Sequence, residues 1–420
     1  MTASNAVGAT SNEASDSAPL TIVLVEFLPS GGMFQFNFML GEALASLGHD
    51  VTLLTGPDPE LSTKVPGFTV RSYFPTWHPG ADTGEANVFR KIRRVFRAAR
   101  LTYSWMKLVR YVRHERPDAV LLGEMRFALD SWFAVRLAKR KRPGTILGEV
   151  AHNPTPYDVS GDSDSVEKSD PTTQRALRAA YQSFDLVLTL GPGPRDDLVK
   201  AYPEVRRTAV IGHGEYSAFA EEAAQTPGAS TTPPRIVFFG TWTRYKNIPM
   251  LLSAFAKIRA ERPDAELVVA GPVMADMDLA AVVKQAADIP GVDLRPGYVA
   301  MEDVPVLFAG ARVVALPYEI VNISGVVHMA YTFARPVVAT DVGSMRDVVI
   351  AGQTGLLAQP TPDGFAEALL ALLSSPADAE RMGIGGYEFM KSELSWESAA
   401  ERAVEGFRAA RSDSVTRGSN

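Results

Sequence analysis

The sequence predicts an α/β protein: two Rossmann-like βαβ domains, doubly wound, facing each other across a cleft. Three observations predict it. Short, continuous apolar runs alternate with helical stretches along most of the 420 residues. The alternation lapses over residues 217–234, and it then restarts with the same rhythm. Strands of a parallel sheet covered by helices on both faces read as unbroken apolar runs, because neither side meets water. Two such units on either side of a break bind ligands between them, at the carboxyl ends of their strands.

Residues 1–19 carry no Lys or Arg and no apolar stretch, so they read as a disordered leader and not as a signal peptide. Residues 21–26 (TIVLVE) form the first strand. The turn Pro29-Ser30-Gly31-Gly32 follows, then a helix over 34–47 closed by Gly48, then a strand over 51–55. Strand, glycine turn, helix, strand is one βαβ unit. Strands at 119–122, 145–149, 186–189 and 208–211 alternate with helices at 129–139, 174–183 and 195–201, completing a domain over 20–216. Residues 217–234, rich in Ala, Ser, Thr and Pro, are expected to be a linker. The second domain, 235–396, has strands at 235–239, 266–270, 312–316 and 337–340. Its helices fall at 248–259, 279–287, 325–334, 364–373 and 377–382. A last helix spans 397–411, and 412–420 read as a disordered tail.

Composition narrows the function classes. Hydrophobic residues make up 46 % and charged residues 21 %, so a full-sized core is available. The absence of cysteine excludes disulfides, thiolate nucleophiles, Fe–S clusters and zinc–thiolate sites, and it fits the cytosol. The six histidines are too dispersed for a local metal motif. No apolar run reaches the length of about 18 residues that a membrane span needs.

The net charge of −6 argues against general nucleic-acid binding, but it is unevenly spread. Residues 88–116 hold ten basic residues against Glu115, which makes that segment +9 and the rest of the chain −15. Phe89, Ile92, Phe96, Ala99, Tyr103 and Met106 recur there at helical spacing, flanked by Trp105 and by Arg90, Lys91, Arg93, Arg94, Arg97 and Arg100. The pattern reads as an interfacial amphipathic helix drawn to an anionic membrane surface. It also reads as a surface helix whose stripe packs on the first domain. An RNA patch is the third reading, and −15 elsewhere weighs against it.

Four strand ends carry candidate chemistry. Gly31 and Gly32 let backbone N–H groups approach an anion at a helix N-terminus, or form a plain tight turn. The stretch 239–247 (FGTWTRYKN) places Arg244 and Lys246 where they can hold a diphosphate, the alternative being a solvated pair on a loop. After the strand at 312–316, the loop carries Glu319, and Ser324-Gly325 opens a helix. Ser324 is either an ordinary N-cap or part of a phosphate cradle. His152 follows the strand at 145–149 and should face the cleft, unless it is structural. Two decoys are set aside. Asp162-Ser163-Asp164 has the metal-binding D-x-D spacing but lies in a polar stretch with no strand before it. Gly191-Pro192-Gly193 lacks the third glycine of a dinucleotide fingerprint.

Together these residues resemble the family 4 glycosyltransferases (glycosyltransferase group 1) with the GT-B fold. The resemblance is carried by Gly31-Gly32, the 239–247 stretch, Ala270-Gly271-Pro272, Gly297-Tyr298-Val299, residues 324–344, and Gly352-Gln353-Thr354-Gly355. It implies a nucleotide-sugar donor (UDP- or GDP-linked), retention of anomeric configuration, and no metal or other cofactor. It implies that Arg244 and Lys246 hold the donor diphosphate, with Ser324, Gly325, Gly240 and Gly271 beside it. Tyr298 and Val299 would border the base, His152 would face the sugar, and Gly31-Gly32 would close over the diphosphate. The last helix would cross back to the first domain. With the basic segment, it implies a lipid-linked or glycan acceptor and a cytoplasmic enzyme peripheral to the inner face of the cell membrane. The chain departs from the pattern in one respect above all. Many relatives carry two glutamates in the third site, where this chain has Val321 and Met329.

Overall fold

The structure is a computed structural model that describes residues 18–75, 87–123, 125, 128–152, 171–321 and 324–418. Asn153, the Asp162-Ser163-Asp164 triplet and most of the expected leader lie outside the described residues. So do the side chains of 87–95, among them Phe89, Arg90, Lys91, Ile92, Arg93 and Arg94.

The first domain starts β1 (Thr21–Val25), α1 (Gly32–Ser46), β2 (Asp50–Thr55), β3 (Phe68–Ser72) and α2 (Asn87–Glu115). It continues β4 (Ala119–Leu122), α3 (Ala128–Arg140), β5 (Ile146–Ala151), α4 (Pro171–Ser183), β6 (Leu186–Thr189), α5 (Pro192–Ala201) and β7 (Thr208–Val210). The connecting segment carries a short helix, α6 (Ala220–Ala224), and two 3-10 turns. The second domain runs β8 (Arg235–Phe239), α7 (Ile248–Glu261), β9 (Glu266–Gly271), α8 (Leu279–Ala287), β10 (Val292–Pro296) and α9 (Val304–Ala309). Then come β11 (Val313–Leu316), α10 (Gly325–Thr332), β12 (Val337–Thr340), α11 (Met345–Val348), β13 (Gly355–Ala358), α12 (Pro362–Ser374) and α13 (Pro376–Glu393). The last helix is α14 (Trp396–Gly418).

Both sheets are parallel throughout. The first has the order β3-β2-β1-β4-β5-β6-β7 and the second β10-β9-β8-β11-β12-β13. In each, strand order reverses beside the first strand, which opens a crevice at the carboxyl ends there. β1 shows why the apolar run is continuous: Ile22 and Leu24 pack on one face, Val23 and Val25 on the other, and all four are buried. Three strands, β3, β10 and β13, escape the sequence reading. All three are sheet edges with partly exposed residues, so they lack the apolar run that marks a central strand.

One apolar cluster passes without a break from β1 and α1 through Ile211, Tyr216 and Phe219 into the second domain and on to α14. Arg335, fully buried, donates to the carbonyls of Phe308, Ala309 and Pro227, and so ties the connecting segment to the second domain. Helix α14 lies against α1 and is pinned to the first domain by Arg411–Asp118 at 2.6 Å and Arg207–Asp413 at 2.7 Å. It continues through Gly418, across the stretch expected to be a disordered tail.

Helix α2 corrects one expectation. The stripe of Phe96, Tyr103 and Met106 faces outward, with 65 %, 52 % and 53 % of each residue exposed. Leu101, Trp105, Leu108, Val109 and Val112 are the residues that pack on the domain. Both stripes have helical spacing, and the larger apolar one wins the core. Trp105, read from the sequence as a flank, is its anchor. Its ring stacks on Phe133 at 5.7 Å, and its Nε1 donates to Asp130 Oδ1 at 2.8 Å. No helix of the described residues is long and apolar enough to cross a membrane.

Trp105→Ala removes a buried aromatic and its hydrogen bond to the buried Asp130. The expected loss is about 3–5 kcal/mol in urea unfolding, against less than about 0.5 kcal/mol for Tyr103→Ala on the outward stripe.

Candidate active site

Lys246 is the centre of the site. The chain leaves β8 at Gly240, turns through a 3-10 segment Arg244–Lys246, and enters α7 at Asn247. Asn247 adopts the left-handed conformation (φ 51°) and accepts a hydrogen bond from the Met250 N–H at 3.3 Å, which caps α7. This tight entry folds the Lys246 side chain back under the strand end, where only 7 % of the residue is exposed. Its Nζ donates to Thr241 Oγ1 at 3.3 Å and lies 5.4 Å from the Tyr318 ring centre. No carboxylate among the described residues pairs with it. Burial lowers its pKa from 10.5 to about 8.

The strand ends are shaped for close approach. Gly240 and Gly271 have φ of 115° and 144°, and a Cβ on Gly271 would run into the Gly240 carbonyl oxygen. A Cβ on Gly240 would stand 2.9 Å from Lys246 Nζ and 3.6 Å from Val326 Cγ2. The Lys246 ammonium and the first turn of α10 therefore both flank Gly240. That helix begins at Ser324, which is buried and whose side chain does not cap it. The reading of Ser324 as an ordinary N-cap falls, and no side chain among the described residues accepts from the first N–H groups of α10. An ammonium and an uncapped helix N-terminus side by side are a site for an anion.

The first domain closes the other side. A Cβ on Gly325 would lie 2.6 Å from Tyr216 Oη and 3.8 Å from His213 Nε2. The rings of His213 and His328 stack at 4.3 Å, both buried. Burial lowers the pKa of His213 to about 4, opposed by its bond to the Gly214 carbonyl. Burial and then the charge of its neighbour hold His328 well below the usual histidine range. Phe36, in the first turns of α1, contacts His152 at 4.7 Å, His213 at 5.3 Å and Trp396 at 5.1 Å. A cavity of about 450 Å³ opens between the domains, lined in part by Gly191, Gly212, Val321, Ser324 and Arg402.

Glu60 spans the cleft. Its Oε2 accepts from the Gly31 N–H at 2.9 Å and from Gln35 Nε2 at 3.2 Å, and its Oε1 accepts from Tyr298 Oη at 2.5 Å. The Gly31-Gly32 turn, expected to receive a diphosphate, thus holds this carboxylate. Burial and then Glu60 hold the Tyr298 hydroxyl above its ordinary pKa. Val299 lies on the same loop, half-buried, and Arg244 is exposed at the rim with its N–H on Asp276 Oδ2 at 3.0 Å. Glu319 is exposed, and Val321 and Met329 are buried in the core. The structure therefore brings together Lys246, Gly240, Gly271, Ser324 and Gly325, with His152 on the first-domain side, and it holds the exposed Glu319 on the Lys246 loop, its N–H on the Tyr245 carbonyl at 2.7 Å. Sequence reasoning missed Glu60, Phe36, His328 and Trp396. Only His213 carried a signal, in Gly212-His213-Gly214.

The arrangement defines a two-domain transferase cleft with an anion site in its second domain. Residues 31–214 match the glycosyl transferase 4-like domain, and residues 233–375 match the glycosyl transferases group 1. The chain belongs to this glycosyltransferase family. It is similar to alpha-maltose-1-phosphate synthase of Mycolicibacterium smegmatis, 29 % identical over 255 residues. That match covers 55 % of this chain and 65 % of the relative, just under two thirds of the latter's length. The fold is that of sucrose-phosphate synthase from Thermosynechococcus elongatus, with TM-score 0.69, 20 % identity, and 94 % of this chain and 100 % of that one covered. It is also that of HepE from Anabaena, solved in complex with UDP and glucose, with TM-score 0.66, 14 % identity and 93 % and 100 % covered.

Lys246 sets a pH dependence. Between pH 8 and 10.5 the unfolded chain holds a proton that the folded chain has lost, so this group makes stability rise with pH across that window. Below pH 8 both states hold it and the slope vanishes. The difference between wild type and Lys246→Met in urea unfolding is expected to change by up to about 3 kcal/mol across the window and to stay flat from pH 6 to 7.5.

Proposed function

We propose that the chain moves a sugar from a UDP- or GDP-sugar to a lipid-linked or glycan acceptor. In this reading the transfer retains configuration, needs no metal, and serves cell-surface polysaccharide or glycolipid synthesis at the inner face of the membrane. The buried Lys246 without a carboxylate partner, set against the uncapped N-terminus of α10, carries the donor half of the reading. As the glycosidic bond breaks, negative charge grows on the departing diphosphate. Lys246, the α10 N–H groups and Arg244 at the rim oppose that charge in a water-poor pocket. His152, held on Phe36, faces the donor sugar. The UDP bound by HepE, which shares the fold, supports a nucleotide donor.

The outward apolar stripe of α2 supports a membrane-borne acceptor. A second reading, a soluble small acceptor, is favoured by the names of the relatives: alpha-maltose-1-phosphate and sucrose-phosphate synthases make soluble products. A third, a non-catalytic nucleotide-sugar binder, is motivated by the buried Val321 and Met329.

A thermal-shift screen of UDP-, GDP- and ADP-sugars is expected to give one stabilising donor, with the shift lost in Lys246→Ala. Transfer from that donor should fall roughly 10²–10³-fold in kcat in the variant. If no nucleotide sugar raises the melting temperature, or if Lys246→Ala leaves both shift and transfer intact, the proposal is wrong. Binding without hydrolysis or transfer would select the non-catalytic reading.

A further inference from the structure

Helices α2 and α3 flank β4 and run the same way, antiparallel to the strands. Their N-terminal ends lie toward the cleft and their C-terminal ends at the far rim. Between their C-terminal halves lies a groove of about 590 Å³, floored by Val109 and Phe133. Arg110 and Arg113 line it from α2, and Arg136 and Arg140 line it from α3. None of these four arginines is paired with a carboxylate among the described residues. The nearby acids are engaged elsewhere: Asp130 accepts from Trp105, and Glu115 contacts His114 at 3.2 Å.

Four unpaired guanidinium groups around one groove repel one another unless an anion sits among them. Phosphate oxygens match the guanidinium fork. The surroundings select the source of that phosphate. Met106 and Tyr103 continue the α2 stripe toward the cleft, and Trp132 continues the α3 stripe, with 54 % of that residue exposed. Arg136 stands 5.4 Å from the Trp132 ring centre. A soluble phosphate or a nucleic-acid backbone uses the arginines and leaves this apolar surface in water. A phospholipid bilayer uses both, offering phosphates at the headgroup level and an interface where Trp and Tyr rings settle. Residues 88–116 carry +9 against −15 for the rest of the chain, and α3 adds Arg136, Lys139 and Arg140 beside them, so the α2–α3 face is drawn to an anionic surface.

We infer that the groove between α2 and α3 receives the headgroup phosphate of an anionic phospholipid, with the α2–α3 face docked on the bilayer. The inference rests on the membrane-periphery reading above and changes its contact residues. The anchor is Arg110, Arg113, Arg136 and Arg140 on two helices, with Tyr103, Met106 and Trp132 seated beside them at the interface. The apolar half of the patch is the half nearer the cleft, so the same docking brings the cleft mouth toward the membrane.

The test is flotation of the full chain with phosphatidylcholine vesicles, with and without phosphatidylglycerol. Wild type should float only with the anionic vesicles. Arg136→Gln/Arg140→Gln should lose roughly thirtyfold in partition coefficient, with an unchanged melting temperature and an unchanged donor shift. Trp132→Ala should weaken flotation as well. Flotation of the double variant equal to wild type overturns the groove, and absence of wild-type flotation overturns the lipid. Arginine-dependent stabilisation by inorganic phosphate without flotation assigns the groove to a free anion and also overturns the proposal. So does tighter binding to RNA than to vesicles. Failure of the donor reading registers separately, as no nucleotide-sugar shift in a wild type that still floats.

Discussion

The cleft is organised around a positive charge held out of water beside a second positive end. The Lys246 ammonium and the N-terminus of α10 are brought together by the ends of β8 and β11, and each is costly to bury without an anion. Burial lowers the pKa of the lysine to about 8. The group therefore remains mostly protonated at neutral pH, and an anion arriving beside it relieves a penalty the fold already carries. Folding absorbs that penalty because Ile248, Trp242 and Tyr318 pack around the loop and fix its path. The site is thus preorganised by hydrophobic packing, and no reorganisation remains to be done when charge develops on a leaving group.

The two domains are not independent bodies meeting at this site. The apolar cluster runs through Tyr216 and Phe219, the Tyr216 N–H bonds Thr332 Oγ1 at 3.0 Å, and Trp396 Nε1 donates to the Glu215 carbonyl. His213, His328, Phe36 and Trp396 pack as rings behind the α10 N-terminus. Burial keeps the two histidines neutral at physiological pH. The ring cluster itself therefore adds no charge behind the helix end. Glu60 balances the opposite edge. Its carboxylate holds the Gly31 N–H of one domain and the Tyr298 hydroxyl of the other, so the cleft edge is closed by an internal anion.

What the sequence revealed follows physical locality. Central strands were legible because burial on both faces forces a continuous apolar run, as in TIVLV at Thr21–Val25. The edge strands β3, β10 and β13 meet water and carry mixed residues, so no run marks them. Gly240, Lys246, Ser324 and Gly325 were legible because the shape of a strand end and the start of a helix are written in a few consecutive residues. Glu60 and Tyr298 are 238 residues apart and sit in polar loops, and nothing local distinguishes them from solvated surface. On α2 the error was one of phase. Two apolar stripes share the helical period, and only the packing of Trp105 on Phe133 decides which faces inward.

The replacement of carboxylates by Val321 and Met329 has a consequence for how the cleft divides its work. Both residues are buried, and Val321 lines the interdomain cavity, so neither position offers a carboxylate to a sugar hydroxyl. Glu319 is exposed two residues earlier, its N–H on the Tyr245 carbonyl at 2.7 Å. The second domain is left with groups suited to phosphate: an ammonium and a helix end. Under the proposed function, discrimination among sugars then falls to groups that reach the cleft from the first domain. His152 on Phe36 and the Gly31–Glu60 edge are the polar groups placed there. In the proposed reading, recognition of the diphosphate and selection of the sugar are thus separated onto opposite domains. The continuous apolar seam and the Glu60 bridge hold the two domains at one spacing, so both sets of groups face the same molecule.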